Sequence, residues 1–403
     1  MRSLPLASFL LAISVIIPAA RAADTVAVIP LFNLDESNTQ SLDWIGESVS
    51  ETIRESLSSI GLLVLSREDR EEVYHRLSLR EGVVLTKASV LKIGESLDAG
   101  QIIFGEFRVE SSPGDPGPAS NPKANLRLIA HAIDLKKFHE GAEISQSGSL
   151  KDLSQMETRL AWMLARELSP SMVPSEDEFF RARAPVKVEA MESYIRGLMA
   201  TTPDQKMKLF SQAVRIDDRF SQPNFQLGRM LFQKKDYKGA TLSLSKVSKS
   251  DSHFLEASFL RGLCRYYEGD YSAAIDQFKM VAGEIPLNEV YNDLGAALSR
   301  KNDIAGAIEN FGKALEGDEG DPDYWFNVGW ELWRQGKFEL AAANFRALLD
   351  RSPGDQEATN MLGRCIRQDA ARAGDPRSEG RERIKTTFED SAWRQLQAEL
   401  HGK

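Results

Sequence analysis

The stretch PDYWFNVGWELWRQGKFELAAANFRALLDRSP, residues 322–353, decides the fold. An apolar pattern of helical period runs through its first dozen residues, breaks at Gly336-Lys337, and resumes. Glycine at the break tolerates the left-handed backbone that ends a helix. Pro353 stops the second helix, because it lacks an amide and its ring clashes with the preceding turn. The stretch therefore reads as helix, tight turn, helix.

It is one copy among several. Gly228, Gly262, Gly295, Gly329 and Gly363 lie 34, 33, 34 and 34 residues apart. The series Ala240, Ala274, Ala307, Ala341 and the series Leu244, Phe278, Phe311, Phe345 keep the same step, including the single-residue deletion. The earlier breaks fall at Lys235-Asp236, Gly269-Asp270 and Asn302-Asp303, where each Asp can cap the free amides of the next helix. Small residues at the eighth and twentieth positions of a unit let the two helices approach, and the aromatic or Leu at the twenty-fourth fills the space behind. One such hairpin cannot bury its apolar face alone, so neighbours must stack into a solenoid.

This pattern resembles the tetratricopeptide repeat, whose units carry Trp, Leu-Gly, Tyr, Ala, Phe, Ala and Pro at fixed offsets. The unit from Pro322 has Trp325, Val328-Gly329, Ala341, Phe345 and Pro353; the unit from Leu255 has Gly262, Ala274, Phe278 and Pro286. The unit from Asn288 has Tyr291, Leu294-Gly295, Ala307, Phe311 and Ala314, and the unit from Ser221 has Leu227-Gly228 and Ala240. Leu362-Gly363 opens a last helix without a normal second half. Upstream, Tyr194, Gly197, Phe210 and Ala213 look like a degenerate first unit with a shortened turn. The expected solenoid spans 187–368.

In this family the first helix of each unit lines a concave groove. The resemblance implies a protein-binding surface of Phe225, Arg229, Phe232, Phe259, Tyr266, Tyr267, Asn292, Arg300, Phe326, Trp330, Trp333 and Arg334. Aromatic and Arg side chains supply the large desolvated areas of interface hot spots, and Trp330 and Trp333, three apart, share a helix face. The same aromatics would equally serve packing inside the array, or against a terminal helix around Trp393. The binding reading requires an open trough.

The chain of 403 residues allows two or three domains, and a net charge of −9 argues against generic nucleic-acid binding. Arg2, the apolar run Leu4 to Pro18 and Ala20-Arg21-Ala22 read as a signal peptide cleaved after Ala22, too short for a comfortable membrane span. No Cys follows it. Periplasmic export is the expectation, with no membrane span after cleavage. Cys264 and Cys365 occupy the tenth position of units three apart, too distant to bridge, and are expected as free, buried thiols.

Residues 23–169 read as an α+β domain in the order β-α-β-α-α-β-β-β-α: a mixed sheet packed against helices. The strands are Thr25 to Leu31, Leu62 to Leu65, Gln101 to Glu110, Ala124 to Leu135 and Ala142 to Leu150. The helices are Gln40 to Ile60, Arg67 to Leu77, Lys87 to Leu97 and Asp152 to Leu168, with a Pro/Gly-rich excursion at Ser111 to Pro122. Val28-Ile-Pro-Leu31, Asp43-Trp-Ile-Gly-Glu47, Leu63-Val-Leu-Ser-Arg67 and Ala99-Gly-Gln-Ile-Ile-Phe-Gly105 make this domain similar to the amino-terminal domain of TolB-like and CsgG-like envelope proteins. That resemblance implies a non-catalytic part of an envelope assembly. A linker, 170–186, leads to the solenoid, and 369–403 forms a polar segment with a capping helix that takes in Phe388, Trp393, Leu396 and Leu400.

No catalytic, cofactor or metal set emerges. His131 and His139 straddle a strand and its turn with no ligand at metal spacing; the acidic run 68–72 is a solvated helix face; there is no phosphate loop and no nucleophile turn. The expected function is a non-enzymatic periplasmic scaffold, or adaptor, that binds other envelope proteins through its groove and its α/β domain. The alternative is an oligomeric secretion or sensing component built on the amino-terminal domain, which leaves homo-oligomerisation open.

Overall fold

The computed structural model describes residues 25–34, 39–80, 83–110, 125–372 and 380–389. The leader, the Ser111 to Pro122 excursion, and Trp393, Leu396 and Leu400 lie outside the described residues.

The first half is a mixed sheet with helices on both faces. Its strands are β1 (Val26–Val28), β2 (Phe32–Asn33), β3 (Gln101–Glu110), β4 (Asn125–Asp134), β5 (His139–Glu140) and β6 (Ile144–Ser149). β3 is the axis: β1 and β2 pair with it in parallel, and β4 pairs antiparallel, Gln101 opposite Asp134. β5 and β6 both extend from β4. On one face, α1 (Thr39–Ser59) and α4 (Leu153–Leu168) bring Ile45, Val49, Ile53, Leu57, Leu160 and Leu164 onto Ile103, Phe107 and Leu128, all fully buried. On the other, α2 (Arg67–Arg76) and α3 (Lys87–Ser96) pack Val73, Val90 and Ile93 against Ala27, Ile102 and Ile133.

The strand expected at Leu62 to Leu65 shrinks to a single bridge, Val26 opposite Val64. Its neighbours explain this. Gly61 turns with φ +91° on one side, and on the other Ser66 already caps α2, its hydroxyl accepting from Asp69 N. Little chain is left to pair.

The linker is anchored. Residues Glu176–Arg181 form α5, begun by a reciprocal Ser175–Glu178 capping box, and Phe179 is fully buried in the α/β core.

The second half is a stack of helical hairpins: α6 (Val188–Met199) with α7 (Pro203–Ile216), α8 (Ser221–Gln233) with α9 (Tyr237–Leu244), and α10 (Phe254–Tyr267) with α11 (Tyr271–Glu284). Then come α12 (Asn288–Arg300) with α13 (Ile304–Gly317), α14 (Pro322–Arg334) with α15 (Phe338–Arg351), and a single α16 (Gln356–Ile366). The turns repeat one device. Lys235, Gly269, Asn302 and Gly336 take φ +62°, +81°, +63° and +75°. Asp236, Asp270 and Asp303 then accept from Gly239, Ala273 and Gly306 amides at 3.0, 3.2 and 3.0 Å.

The hairpins also share one packing contact, between the eighth-position Gly and the twenty-fourth-position side chain. A Cβ on Gly262 would stand 2.6 Å from Phe278, on Gly295 2.8 Å from Phe311, and on Gly228 2.5 Å from Leu244. Gly197 meets Phe210 in the same way, which makes α6–α7 a true first hairpin. Tyr194 and Phe210 of that hairpin, and Phe220 at the start of α8, belong to the same core as α1 and α4, so the sheet domain and the array share buried surface. Cys264 and Cys365 are buried and unbridged.

Candidate functional site: a groove that holds the chain's own strand

The first helices α8, α10, α12 and α14 bring the twelve expected groove residues to one side of the stack, but not to one environment. Phe225, Phe259, Phe326, Trp330 and Trp333 are fully buried, as is Asn292. Phe225 stacks on His253, with centroids 4.4 Å apart. Trp330 and Trp333 pack on each other at 5.2 Å, and Trp333 Nε1 donates to the Asp369 carbonyl at 2.7 Å. Arg334 Nη1 donates to Ser299 Oγ and to Glu331, and its Nη2 to Asn302 Oδ1. Arg300 donates to the Tyr271 hydroxyl at 2.7 Å. Phe232 and Tyr266 are half-buried, Arg229 stands over Phe225 with much of its side chain exposed, and Tyr267 is 42% exposed.

The trough is not open over α12–α16. Gly380 to Glu389 runs through it as a segment that is neither helix nor β-strand. Arg383 N donates to Asn327 Oδ1 at 2.8 Å, and the Arg383 carbonyl accepts from Asn327 Nδ2 at 2.9 Å and Asn292 Nδ2 at 2.8 Å. Lys385 N donates to Asp293 Oδ1 at 2.9 Å, and Glu389 N to Glu289 Oε1 at 2.6 Å. Phe388 packs on Phe259 at 5.4 Å. It therefore lies in an extended segment, not in the helix expected for it. The segment runs from the last units back to α10, opposite to the order of the repeats.

Charge holds it as well. The Arg383 guanidinium lies 3.9 Å over the Phe326 ring, 3.1 Å from Asp323 and 2.7 Å from Asp355. Lys385 Nζ is 2.6 Å from Asp321 and 2.7 Å from Asp323. Arg381 reaches Glu357 at 3.1 Å. The hydrogen bond from Arg383 holds Asp355 below its ordinary value despite partial burial. Burial pulls Lys385 down, but the bonds it donates to Asp321 and Asp323 outweigh it and leave the ammonium above its ordinary value. Deeper in the groove, the Ser299 hydroxyl sits between the Glu331 and Glu382 carboxylates, and burial pushes Glu331 up.

The sequence points to Asn292, Phe326 and Phe259 in this contact but not to Asp293, Asn327, Asp321, Asp323 and Asp355. A usable signal existed. Asp293 and Asn327 are 34 residues apart, as are Asp321 and Asp355, so each pair holds one position in consecutive units.

A second concavity of about 650 Å³ lies between the sheet domain and the array, lined by Thr52, Glu55, Ser154, Tyr194, Gln222 and Asp251 among others. Glu55 accepts from Gln222 Nε2 at 2.5 Å, and burial with Asp251 nearby pushes it up to about 7. Among the described residues, no group of three or more His, Cys, Asp or Glu is placed to hold a metal, and no helix is long and apolar enough to cross a membrane. His131 stacks on Phe104 and faces Glu140.

A family model described as tetratricopeptide repeat matches residues 327–375. No curated protein matches the chain. Among solved structures, MamA (41-end) from Desulfovibrio magneticus RS-1 is 21% identical over 41% of this chain and 95% of its own, with a TM-score of 0.38. YrrB, described as a TPR protein with an unusual peptide-binding site, is 18% identical over 48% of this chain and 96% of its own, with a TM-score of 0.35. The Cut9–Hcn1 hetero-tetramer is 16% identical over 53% of this chain and 39% of its own, with a TM-score of 0.35. At these scores nothing of their biology transfers to this chain. The helical half is a stack of tetratricopeptide-type hairpins, recognised directly by the family model in its α14–α16 portion.

Proposed function

We propose that this protein is a non-enzymatic scaffold of the cell envelope that takes an extended segment of another protein into its groove in exchange for its own tail, since the open trough expected for binding is absent over α12–α16. One observation carries the reading: the groove already holds a segment, the chain's own, whose Arg383 carbonyl accepts from Asn327 and Asn292 and whose Lys385 amide donates to Asp293. Main-chain recognition of an unstructured segment is how a rigid surface selects conformation, while side-chain contacts add specificity. The leader-like first 22 residues support export. The likeness of the sheet domain to TolB-like and CsgG-like envelope domains supports a second attachment surface there, fixed to the array by their shared core.

The test is site-specific photocrosslinking in intact cells. A crosslinker at Tyr267, exposed beside the groove, is compared with one at Leu242, which is 67% exposed on a second helix. A defined adduct from Tyr267 alone, recovered in the envelope fraction, supports the proposal. Equal adducts from both positions, or none from Tyr267, overturn it.

A further inference from the structure

The residues that hold the tail also fix what segment the groove accepts. Resting on the groove reading above, we propose that the trough over α12–α16 is a site for extended segments of the pattern Arg-x-Lys-x-x-Phe, and that the chain's own Arg383 to Phe388 is a tethered occupant which a partner of that chemistry displaces.

The pattern follows from the repeat. In an extended strand every second amide faces the same way. The equivalent residues Asn327 and Asp293 accept the amides of Arg383 and Lys385, two residues apart. Between α14 and α12 the register is thus two tail residues per repeat, running against the repeat order.

The cations obey the same register. Asp321 and Asp355 cap α14 and α16, each with its Oδ1 accepting a helix amide at 2.9 Å. Each turns its other oxygen to the tail: Asp321 Oδ2 lies 2.6 Å from Lys385, and Asp355 Oδ2 lies 2.7 Å from Arg383. A bare helix N-terminus repels a cation; an Asp cap with a spare oxygen reverses that preference. Two caps one repeat apart therefore read two cations spaced two residues apart. Asp323 lies between them and touches both. The ring of Phe326 beneath Arg383 selects a flat guanidinium there, since cations gain from sitting over an aromatic face. Lys385 is backed by Tyr324. Phe388 then reaches Phe259 two hairpins earlier. An acidic segment would meet Asp321, Asp323, Asp355 and Glu357 and be refused.

Occupancy follows from the tether. Arg372, just past α16, and Gly380 are eight positions apart in sequence. A short link of this kind gives an effective concentration of the order of millimolar. A segment with a free affinity of about 10 μM would then fill its site about 99% of the time, and a competitor's apparent affinity would fall about 100-fold.

The test uses a labelled peptide of residues 380–389 and the full-length chain, read by fluorescence anisotropy. The wild-type chain is compared with Arg383→Glu/Lys385→Glu, and with the milder Arg383→Ala/Lys385→Ala in case the charge reversal disturbs folding. Circular dichroism checks all three. The expected result is at least tenfold tighter binding to the tail variants than to wild type. Replacing Arg383 and Lys385 by Ala in the peptide, or Asp355→Asn in the chain, should remove most of it. Equal binding to wild type and variants shows that the tail does not occupy the groove in solution and overturns the tether, leaving the groove intact. Equal binding of a sequence-scrambled peptide overturns the pattern and leaves charge alone. No binding to any form overturns the inference, while Tyr267 crosslinking still judges the scaffold reading on its own.

Discussion

Asn327 brackets one residue of the tail: its Oδ1 accepts the Arg383 amide at 2.8 Å and its Nδ2 donates to the Arg383 carbonyl at 2.9 Å. Two bonds to one residue, on adjacent peptide units, fix register as well as affinity. Asn327→Ala removes both and leaves a partly buried amide unpartnered, at a cost of about 1–3 kcal/mol to docking. Trypsin should then cut after Arg383 and Lys385 several-fold faster than in wild type. Unchanged cleavage would mean that these bonds do not hold the tail.

Acid should release the tail. Asp355 is depressed by Arg383, so its contribution is full above its ordinary value near 3.8 and is lost as pH falls through the docked value. Lys385 is raised, so its share is full below its ordinary value near 10.5 and is lost only as pH rises beyond that. Asp293 and Glu331, raised by burial beside the tail, lose their share as pH rises above their ordinary values, so the Asp355 step is the loss of tail protection on the acid side, below about pH 4. Proteolysis with an acid-active protease reads this. In Asp355→Asn the acid step should be smaller.

Glu157 works in the opposite direction. Burial pushes it up to about 8, and the bond it accepts from Thr52 offsets this only in part. A raised carboxyl gives its full stability below the ordinary value near 4.5 and loses it as pH rises towards 8. Glu157→Gln keeps an acceptor for Thr52 Oγ1 and should raise stability at pH 8 by about 4 kcal/mol at most, with little change at pH 4.5. Thermal melts at the two pH values check it.

Two glycines of neighbouring helices should respond with opposite sign. A Cβ on Gly295 would stand 2.8 Å from the Phe311 ring, so Gly295→Ala overpacks the hairpin and should cost about 1–3 kcal/mol. Gly312 of α13 has nothing within 4 Å of such a Cβ, so Gly312→Ala should gain up to about 1 kcal/mol from helix propensity. Urea titration of both measures the difference.

Trp330→Ala and Trp333→Ala would be poor probes of binding. Both rings are buried, and deleting either should cost about 3–5 kcal/mol of stability. Tyr267→Ala, at an exposed ring stacked on Tyr237, should leave the melting temperature within a few degrees while weakening partner adducts.

The array was legible because each hairpin repeats local chemistry. Gly262 against Phe278 and Asp270 on Ala273 are contacts within one unit, and they leave a period in the sequence. The long strands β3 and β4 were equally plain, being continuous runs of β-branched and apolar residues. The bridge at Val64 was not, since its length is set by what a distant strand leaves free. Nor was the tail. An extended segment held by main-chain bonds to residues 56 to 100 positions away has no period of its own. Phe388 was therefore counted with a helix to which it does not belong. Burial of the tryptophans follows from the same closeness of helices that the small residues permit.

The direction of that segment bears on how the molecule comes apart. In a simple stack each hairpin touches only its neighbours, so such rods can fray from the end. Here Glu389 is tied to Glu289 and Arg383 to both Asn292 and Asn327, so the last hairpins are laced to earlier ones. Unzipping from the far end must first break the lacing. The rod then behaves as a closed loop, in which terminal units survive or melt together with the middle.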